Sequence, residues 1–260
     1  MSLRVIAFVD HEIGYRLLEK MISYGDSNKF ELVAVATTVE NGEMWWPGVA
    51  DLCLKANVPL FRYQEPFTET LAFENIDWYF LLSWKHIIPE KLINHPNQGV
   101  INLHYSLLPE YRGVYPVNWA IIDGNDTTGV TYHLVDKKVD HGEIILQTKA
   151  PILISDTSRT LQLRLDNLAY ELFDCLLDWI TKVDLNKDAH MVPVKKPGSY
   201  KSKTDFKEMC EIDLGRQYMG ADFLNLLRGM TFLSDSKNAF VIDQKTRKRI
   251  FIKINMEVEE

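Results

Sequence analysis

Short apolar runs alternate with helical patterns over roughly the first hundred residues. The runs at 4–9 (RVIAFV), 31–37 (ELVAVAT), 58–61 (VPLF), 78–83 (WYFLLS) and 99–103 (GVINL) are apolar almost throughout, as buried strands are. Between them, 14–25 and 46–57 carry apolar residues at helical spacing, and 89–95 (PEKLINH) opens on a proline suited to a first helical turn. This alternation predicts an α/β fold, a Rossmann-like, mostly parallel sheet flanked by helices. Ligands of such sheets bind beyond the carboxyl ends of the strands, where Asn102 lies.

After a short helix near 115–123 the texture changes. Segments 128–136 (TGVTYHLVD) and 143–152 (EIILQTKAPI) read as two strands joined by a hairpin-like KKVDHG connection. Residues 155–180 form a long amphipathic helix capped by Asp156 or Thr157, with Leu161, Leu165, Leu168, Leu172 and Leu176 as its core stripe. From 192 to 206 the chain is rich in Lys, Ser, Pro and Gly, which marks a linker or a ligand-facing loop. A helix near 216–228 and the strands AFVI and RIFIKI then complete a small α+β module. The expected division is 1–190 and 191–260.

Composition narrows the function classes. The chain has 260 residues and a formal charge of -7, which disfavours nucleic acid as a main partner. Its three cysteines, Cys53, Cys175 and Cys210, are too dispersed for a disulfide framework or a zinc site. Cys53 and Cys175 fall in helical core patterns. The opening MSLRVIAFVD is too short for a signal peptide, and no apolar stretch approaches a membrane span. The expectation is a cytoplasmic protein with no membrane or metal partner.

The turn after the first strand, DHEIGYR, holds neither GxGxxG nor GxxxxGK[ST], so dinucleotide and ATP chemistry both lose ground. Gly14 there reads as a residue of the helix start rather than a phosphate contact. Asn102 and His104 are two apart on a strand and share a face. A neutral imidazole can take a proton near pH 7, and a carboxamide N–H can donate to a developing oxyanion. Asp140, before His-Gly in a tight loop, could orient that imidazole. No nucleophile elbow is present, so the nucleophile must come with a substrate. Spacing alone does not rank His86, His133 and His141 against these three.

INLHYSLLPEYRG (101–113), followed by GVTYHLVDKKVDHGEI (129–144), closely resembles the signature of the N10-formyltetrahydrofolate-dependent formyltransferases. That family includes methionyl-tRNA, glycinamide ribonucleotide and nucleotide-amino-sugar N-formyltransferases. The resemblance is strong over about 75–155, and Tyr105 departs from it where many members carry Pro. It implies a metal-independent formyltransferase with Asn102, His104 and Asp140 as catalytic residues and N10-formyltetrahydrofolate as co-substrate. It also implies folate contacts at Trp84, Lys85, His86 and Ile88, and in the VDKKVD loop at Asp136 and Val139.

The acidic balance and short tail argue against a tRNA acceptor. The tail instead resembles that of the sugar N-formyltransferases, where a small C-terminal region helps to bind a nucleotide-linked amino sugar. The expected acceptor is a dTDP-linked amino-dideoxysugar, 4-amino favoured over 3-amino, formylated for bacterial surface polysaccharide such as O-antigen. Candidate acceptor-binding residues are Ser106, Arg112, Tyr200, Lys201, Lys203 and Arg228, with Trp45 and Trp46 as further aromatic candidates. A methionyl-tRNA formyltransferase and a formyl-folate hydrolase are the alternatives. The RIFIKI segment would suit a homodimer contact.

Overall fold

The computed structural model describes residues 2–25, 30–40, 43–44, 46, 48–63, 72–182, 191–194, 197–232 and 238–259. Trp45 lies outside the described residues. The chain divides into two compact units: Met1–His104, Tyr132–Leu146 and Ala169–Val194 form the first, and Tyr105–Thr131, Gln147–Leu168 and Lys195–Glu260 the second.

The first unit is built on a sheet. Its strands are β1 (Leu3–Val9), β2 (Phe30–Glu40), β3 (Glu43–Met44), β4 (Leu60–Tyr63), β5 (Trp78–Leu82) and β6 (Gly99–His104). β8 (Thr127–Leu134) and β9 (Ile144–Pro151) pass from one unit into the other. The strand order is β3-β2-β1-β5-β6-β8-β9, with β4 also paired to β2. β1 runs parallel to β2 and β5, β2 to β4, and β5 to β6, while the short β3 is antiparallel. The mostly parallel sheet expected from the alternating pattern is therefore present.

Both faces of these strands are covered, which is why the runs are continuously apolar. Ile6, Phe8, Tyr79, Leu81 and Val100 share one buried cluster with Ile88 and with Leu92 of α3 (Glu90–Ile93). On the other face Phe80 meets Phe173, and Trp78 meets Trp179. Those partners belong to α5 (Ser158–Lys182). Helix α1 (His11–Gly25) lies beside it, with Lys20 Nζ donating to Tyr170 O and pairing with Asp174, both at 2.8 Å. Along α5 the fully buried positions are Leu161, Leu165, Ala169, Phe173, Leu176 and Leu177. The expected stripe was thus too narrow in residue type: Leu168 and Leu172 are only half-buried, and Ala169 and Phe173 take the central line. Cys53 is buried in α2 (Gly48–Lys55), but Cys175 is exposed, which corrects its assignment to the core.

The second unit contains β7 (Arg112–Gly113), α4 (Pro116–Ile122), β10 (Tyr200–Lys201), α6 (Lys203–Cys210), α7 (Gly220–Gly229), β11 (Ala239–Ile242) and β12 (Arg249–Ile252). Trp119, Phe206, Leu226, Met230 and Phe240 make its core. The buried Asn118 side chain donates to Gly229 O at 2.7 Å and so joins α4 to α7. Segment 192–206, read as linker or loop, ends in a helix. Ser202 accepts from the Asp205 amide and the Asp205 carboxylate accepts from the Ser202 amide, a capping box that starts α6.

Two residues at the top of β1 generate predictions. A Cβ on Gly14 would come within 2.5 Å of the Leu82 carbonyl oxygen, so α1 can approach the sheet only with glycine there. Replacing it with alanine is expected to destabilise the chain by about 1–3 kcal/mol in urea unfolding, the usual cost of overpacking. Asp10 is fully buried, and burial pushes its carboxyl up to about 6 against the opposing pull of the Thr38 hydrogen bonds and the Lys85 charge. The folded state then holds this proton more tightly than the unfolded chain. Asp10 therefore favours folding at low pH and loses that contribution as pH rises through about 6. Unfolding free energies of wild type and Asp10→Asn are expected to diverge in favour of the variant by on the order of 3 kcal/mol between pH 4 and pH 8.

Candidate active site

Strand β6 carries its chemistry in its last three residues. Asn102 sits beside Leu81 of β5 in the parallel register, and His104 is only 6% exposed. The 135–143 connection is anchored at both sides. The Val135 amide donates to Val100 O at 2.8 Å, and the Leu134 amide to Glu143 O at 2.9 Å. Asp140 adopts a left-handed backbone (φ 48°), which Asp tolerates better than most residues. Gly142 is required because a side chain there would collide with the Leu134 carbonyl.

This loop brings Asp140 to the pair on β6. His104 Nδ1 lies 3.5 Å from Asp140 Oδ2, and Asn102 Nδ2 donates to Oδ1 at 3.4 Å. A fourth side chain joins them: His133 Nε2 lies 3.5 Å from Asp140 Oδ1 and 3.1 Å from Asn102 Nδ2. The network assigns its tautomer. His133 Nδ1–H donates to Leu134 O at 2.7 Å, so Nε2 is the acceptor of the Asn102 amide. Sequence reasoning left His133 unranked, because being a histidine on a strand does not say which way the strand turns it.

An imidazole beside a buried carboxylate is held in one tautomer and made a better base, and an adjacent carboxamide can serve an oxyanion. The cluster therefore suits proton removal coupled to attack on a carbonyl by a nucleophile that the protein does not supply.

The residues expected at the folate lie in the same unit. Trp84 packs edge-on against Phe8 and Tyr63 at 5.3 and 5.0 Å, and Ile88 is buried. The His86 ring lies tilted against Tyr63, centroids 4.6 Å apart, and places Nε2 3.1 Å from Thr38 Oγ1. In the 135–140 loop Asp136 Oδ2 meets His141 Nδ1 at 3.1 Å, while Val139 is 42% exposed. An exposed ion pair of Glu90 and Lys137 (2.5 Å) links the two segments, and its hydrogen bond and charge lower the Glu90 carboxyl. Trp84 and Val135 also pack on one core cluster.

The residues expected at the acceptor lie in the second unit. Ser106 is fully buried and donates to Glu110 O at 2.5 Å, which shapes the turn. Arg112 donates from Nη2 to Pro197 O at 2.7 Å, while its buried Nε has no partner among the described residues. β10 pairs with β7, which sets Tyr200 beside Arg112; the tyrosine is 54% exposed. Lys201 Nζ sits 4.1 Å over the Trp119 ring and 3.5 Å from Asp123, and Lys203 is exposed at the start of α6. Arg228 is 4% exposed. Its Nε donates to Asn225 at 2.9 Å and its Nη1 to Leu153 O and Asp156 O at 2.7 and 3.2 Å. These bonds fold Arg228 over the turn before α5. Trp46, in the first unit, is half-buried.

Comparison with known proteins completes the picture. Residues 50–175 match the formyl transferase family model, and 205–258 match the N-formyltransferase dimerization C-terminal domain. The bifunctional polymyxin resistance protein ArnA of Wigglesworthia glossinidia brevipalpis is 33% identical over 192 residues, 71% of this chain and 29% of that protein. A methionyl-tRNA formyltransferase of Bacteroides thetaiotaomicron is 28% identical over 82% of this chain and 67% of its own. The chain thus spans under a third of the ArnA relative. Among solved structures, a 4-N formyltransferase from Francisella tularensis superposes with a TM-score of 0.81 at 23% identity, over 99% of both chains. WlaRD, a sugar 3N-formyl transferase solved with dTDP and 5-N-formyl-THF, gives 0.70 at 20% identity over 89% of this chain and 80% of that one. At such identities these likenesses speak to the fold. With the two family matches, in chain order, and the Asn102–His104–Asp140 cluster on a mostly parallel sheet, the chain belongs to the formyl transferase family.

Proposed function

We propose that this chain moves a formyl group from N10-formyltetrahydrofolate to the amine of a dTDP-linked amino-dideoxysugar, the 4-amino sugar favoured over the 3-amino. The observation that carries the choice of acceptor is the whole-chain likeness to a 4-N formyltransferase, C-terminal module included. In this reading 1–190 is the catalytic part and 191–260 the module that helps to bind the nucleotide sugar. The product is a formamido sugar for bacterial surface polysaccharide such as O-antigen, made in the cytoplasm.

The residues divide the work as follows. The sugar amine attacks the formyl carbon, and its proton passes to His104 Nε2, the ring nitrogen opposite the one that meets Asp140. Asp140 holds Nδ1–H and stabilises the imidazolium. Asn102 turns the N–H that now makes the longer contact, 3.4 Å to Asp140, toward the developing oxyanion, while the other stays on His133. Collapse breaks the bond from the formyl carbon to N10, which takes a proton back from His104. Trp84, Lys85, His86, Ile88, Asp136 and Val139 are assigned to the folate, and Ser106, Arg112, Tyr200, Lys201, Lys203 and Arg228 to the nucleotide sugar.

The second reading, a methionyl-tRNA formyltransferase, is favoured by the Bacteroides relative. A steady-state assay with formyl-folate against dTDP-linked 4-amino and 3-amino sugars, a UDP-linked amino sugar and charged initiator tRNA separates the two. Formylation of a dTDP-sugar supports the proposal; activity on tRNA alone overturns it.

Asn102→Ala is expected to lower turnover by about 10²–10³, the usual loss of one oxyanion donor. His104→Asn and Asp140→Asn should each cost about 10²–10⁴ with Tm within a few degrees of wild type, asparagine being chosen at 140 because it tolerates the left-handed backbone. Near-wild-type rates from either variant would remove the assigned roles.

We further infer a homodimer through the β11–β12 hairpin, where Ile250 and Phe251 are 52% and 40% exposed within the segment matched to the dimerization domain. The double variant Ile250→Glu and Phe251→Glu is expected to run as a monomer in light-scattering chromatography.

A further inference from the structure

The carboxyl ends of β1, β2 and β5 carry a polar cluster that the transfer chemistry does not use. Asp10, fully buried, receives the Thr38 hydroxyl at 2.8 Å on Oδ2 and the Thr38 amide at 3.2 Å on Oδ1. The backbone amide of Lys85 donates to the same carboxylate, and the Lys85 charge lies near it. The Asp10 amide in turn donates to Leu82 O at 3.3 Å. Beside it, His11 and Ser83 both hold left-handed backbones (φ 59° each), and His11 Nδ1 lies 3.1 Å from Ser83 O. Left-handed backbones are unfavourable for non-glycine residues, so the start of the 83–88 segment is held in a strained form.

The hydrogen-bond directions reach His86. Thr38 has one hydroxyl proton and gives it to Asp10, so toward His86 Nε2, 3.1 Å away, its oxygen accepts. His86 is therefore the Nε2–H tautomer or the imidazolium. Ionised Asp10 is the form these donors fit, although burial disfavours it. Among the described residues the donors to that carboxylate are Thr38, at the end of β2, and the Lys85 amide of the 83–88 segment. In the same segment the Trp84 indole Nε1 is buried and has no hydrogen-bond partner among the described residues.

We propose that Asp10 is a positioning residue for the folate co-substrate, orienting 83–88 through the Lys85 amide and fixing His86 as an Nε2–H donor through Thr38. The inference rests on the reading that 84–88 bind folate. An uncharged Asp10 replacement that donates instead of accepting reverses the relay. The carboxamide of Asp10→Asn would offer N–H to Thr38, Thr38 would turn its proton to His86, and His86 would become the Nδ1–H tautomer.

The test uses the full chain and four variants: Asp10→Asn, Thr38→Val, Thr38→Ser and His86→Gln. Three readouts are taken: KM and kcat for N10-formyltetrahydrofolate, the dissociation constant of 5-formyltetrahydrofolate by tryptophan fluorescence, and the His86 tautomer by long-range ¹⁵N correlation NMR. Asp10→Asn and Thr38→Val are expected to raise folate KM and Kd about tenfold or more, with kcat at saturating folate within about threefold. Asp10→Asn should also move His86 to Nδ1–H, and Thr38→Ser should restore wild-type values. A general loss of structure would instead lower Tm and kcat together and leave the tautomer alone, which would overturn the proposal. If His86→Gln weakens folate binding and Asp10→Asn does not, the positioning role fails while the folate segment stands. If His86→Gln and Asp10→Asn both leave folate binding unchanged, the assignment of 84–88 to folate fails first.

Discussion

One carboxylate and one carboxamide tie four side chains together in this protein, and the first unit is arranged around that demand. Asp140 meets His104 with one oxygen and accepts from Asn102 on the other, while His133 Nε2 accepts from the same carboxamide. Two adjacent strands and a tight loop are needed to bring four such groups together. β6 supplies two of them because side chains two apart share a face, and β8 supplies His133. The loop supplies the acid, at the cost of a left-handed Asp140 and a glycine two residues on. The anchoring bonds from Val135 to Val100 and from Leu134 to Glu143 keep the loop from relaxing out of that conformation. The separations within the cluster are thus set by backbone geometry before any ligand arrives, which is where electrostatic preorganisation has its value.

Much of this was legible in the chain. Continuously apolar runs separated by helical patterns specify a parallel sheet covered on both faces, and β1, β2, β5 and β6 are such runs. Asn-x-His at a strand end specifies a shared face. What stayed hidden depends on contacts between distant segments. His133 gains its meaning only from the loop that returns Asp140 to it, 7 residues later in sequence and across the strand end in space. Arg228 reads in the sequence as a cation for phosphate, and the contacts that tie its Nη1 to carbonyls 72 and 75 residues away could not be read from the chain. Helix α6 was the avoidable miss, since Ser202 and Asp205 stand at capping-box spacing within a stretch judged by its lysines and serines.

Asp10 shows how a cost in stability can mark a site. A carboxyl held up at about 6 by burial weakens the fold at neutral pH. Its donors nonetheless converge from β2 and from the segment following β5, the strand ends at which the order of the parallel sheet reverses. Ligands of open α/β sheets bind at such reversals. Here that place carries an acid, a threonine and two histidines, a set that fits the folate proposed to bind there.

The chemistry and the choice of acceptor are written in different parts of the chain, and they differ in how far physics alone can read them. Proton transfer and oxyanion stabilisation need a few groups at fixed separations, so the Asn102–His104–Asp140–His133 cluster constrains the reaction class tightly. Acceptor choice needs surfaces that fit a base, a sugar and a pyrophosphate, and many arrangements of tyrosine, lysine and arginine can do this. In the second unit Lys201 is drawn to Trp119 and Asp123, Arg112 to Pro197, and Ser106 to Glu110. These contacts make a stiff framework around Tyr200, whose ring is left 54% exposed beside β7. A stiff support under an exposed aromatic is what base stacking requires, because little side-chain freedom remains to be lost on binding. Under the proposed function Tyr200 is therefore the position best prepared to stack on a base, carried on a strand that Lys201 ties to Trp119 and Asp123.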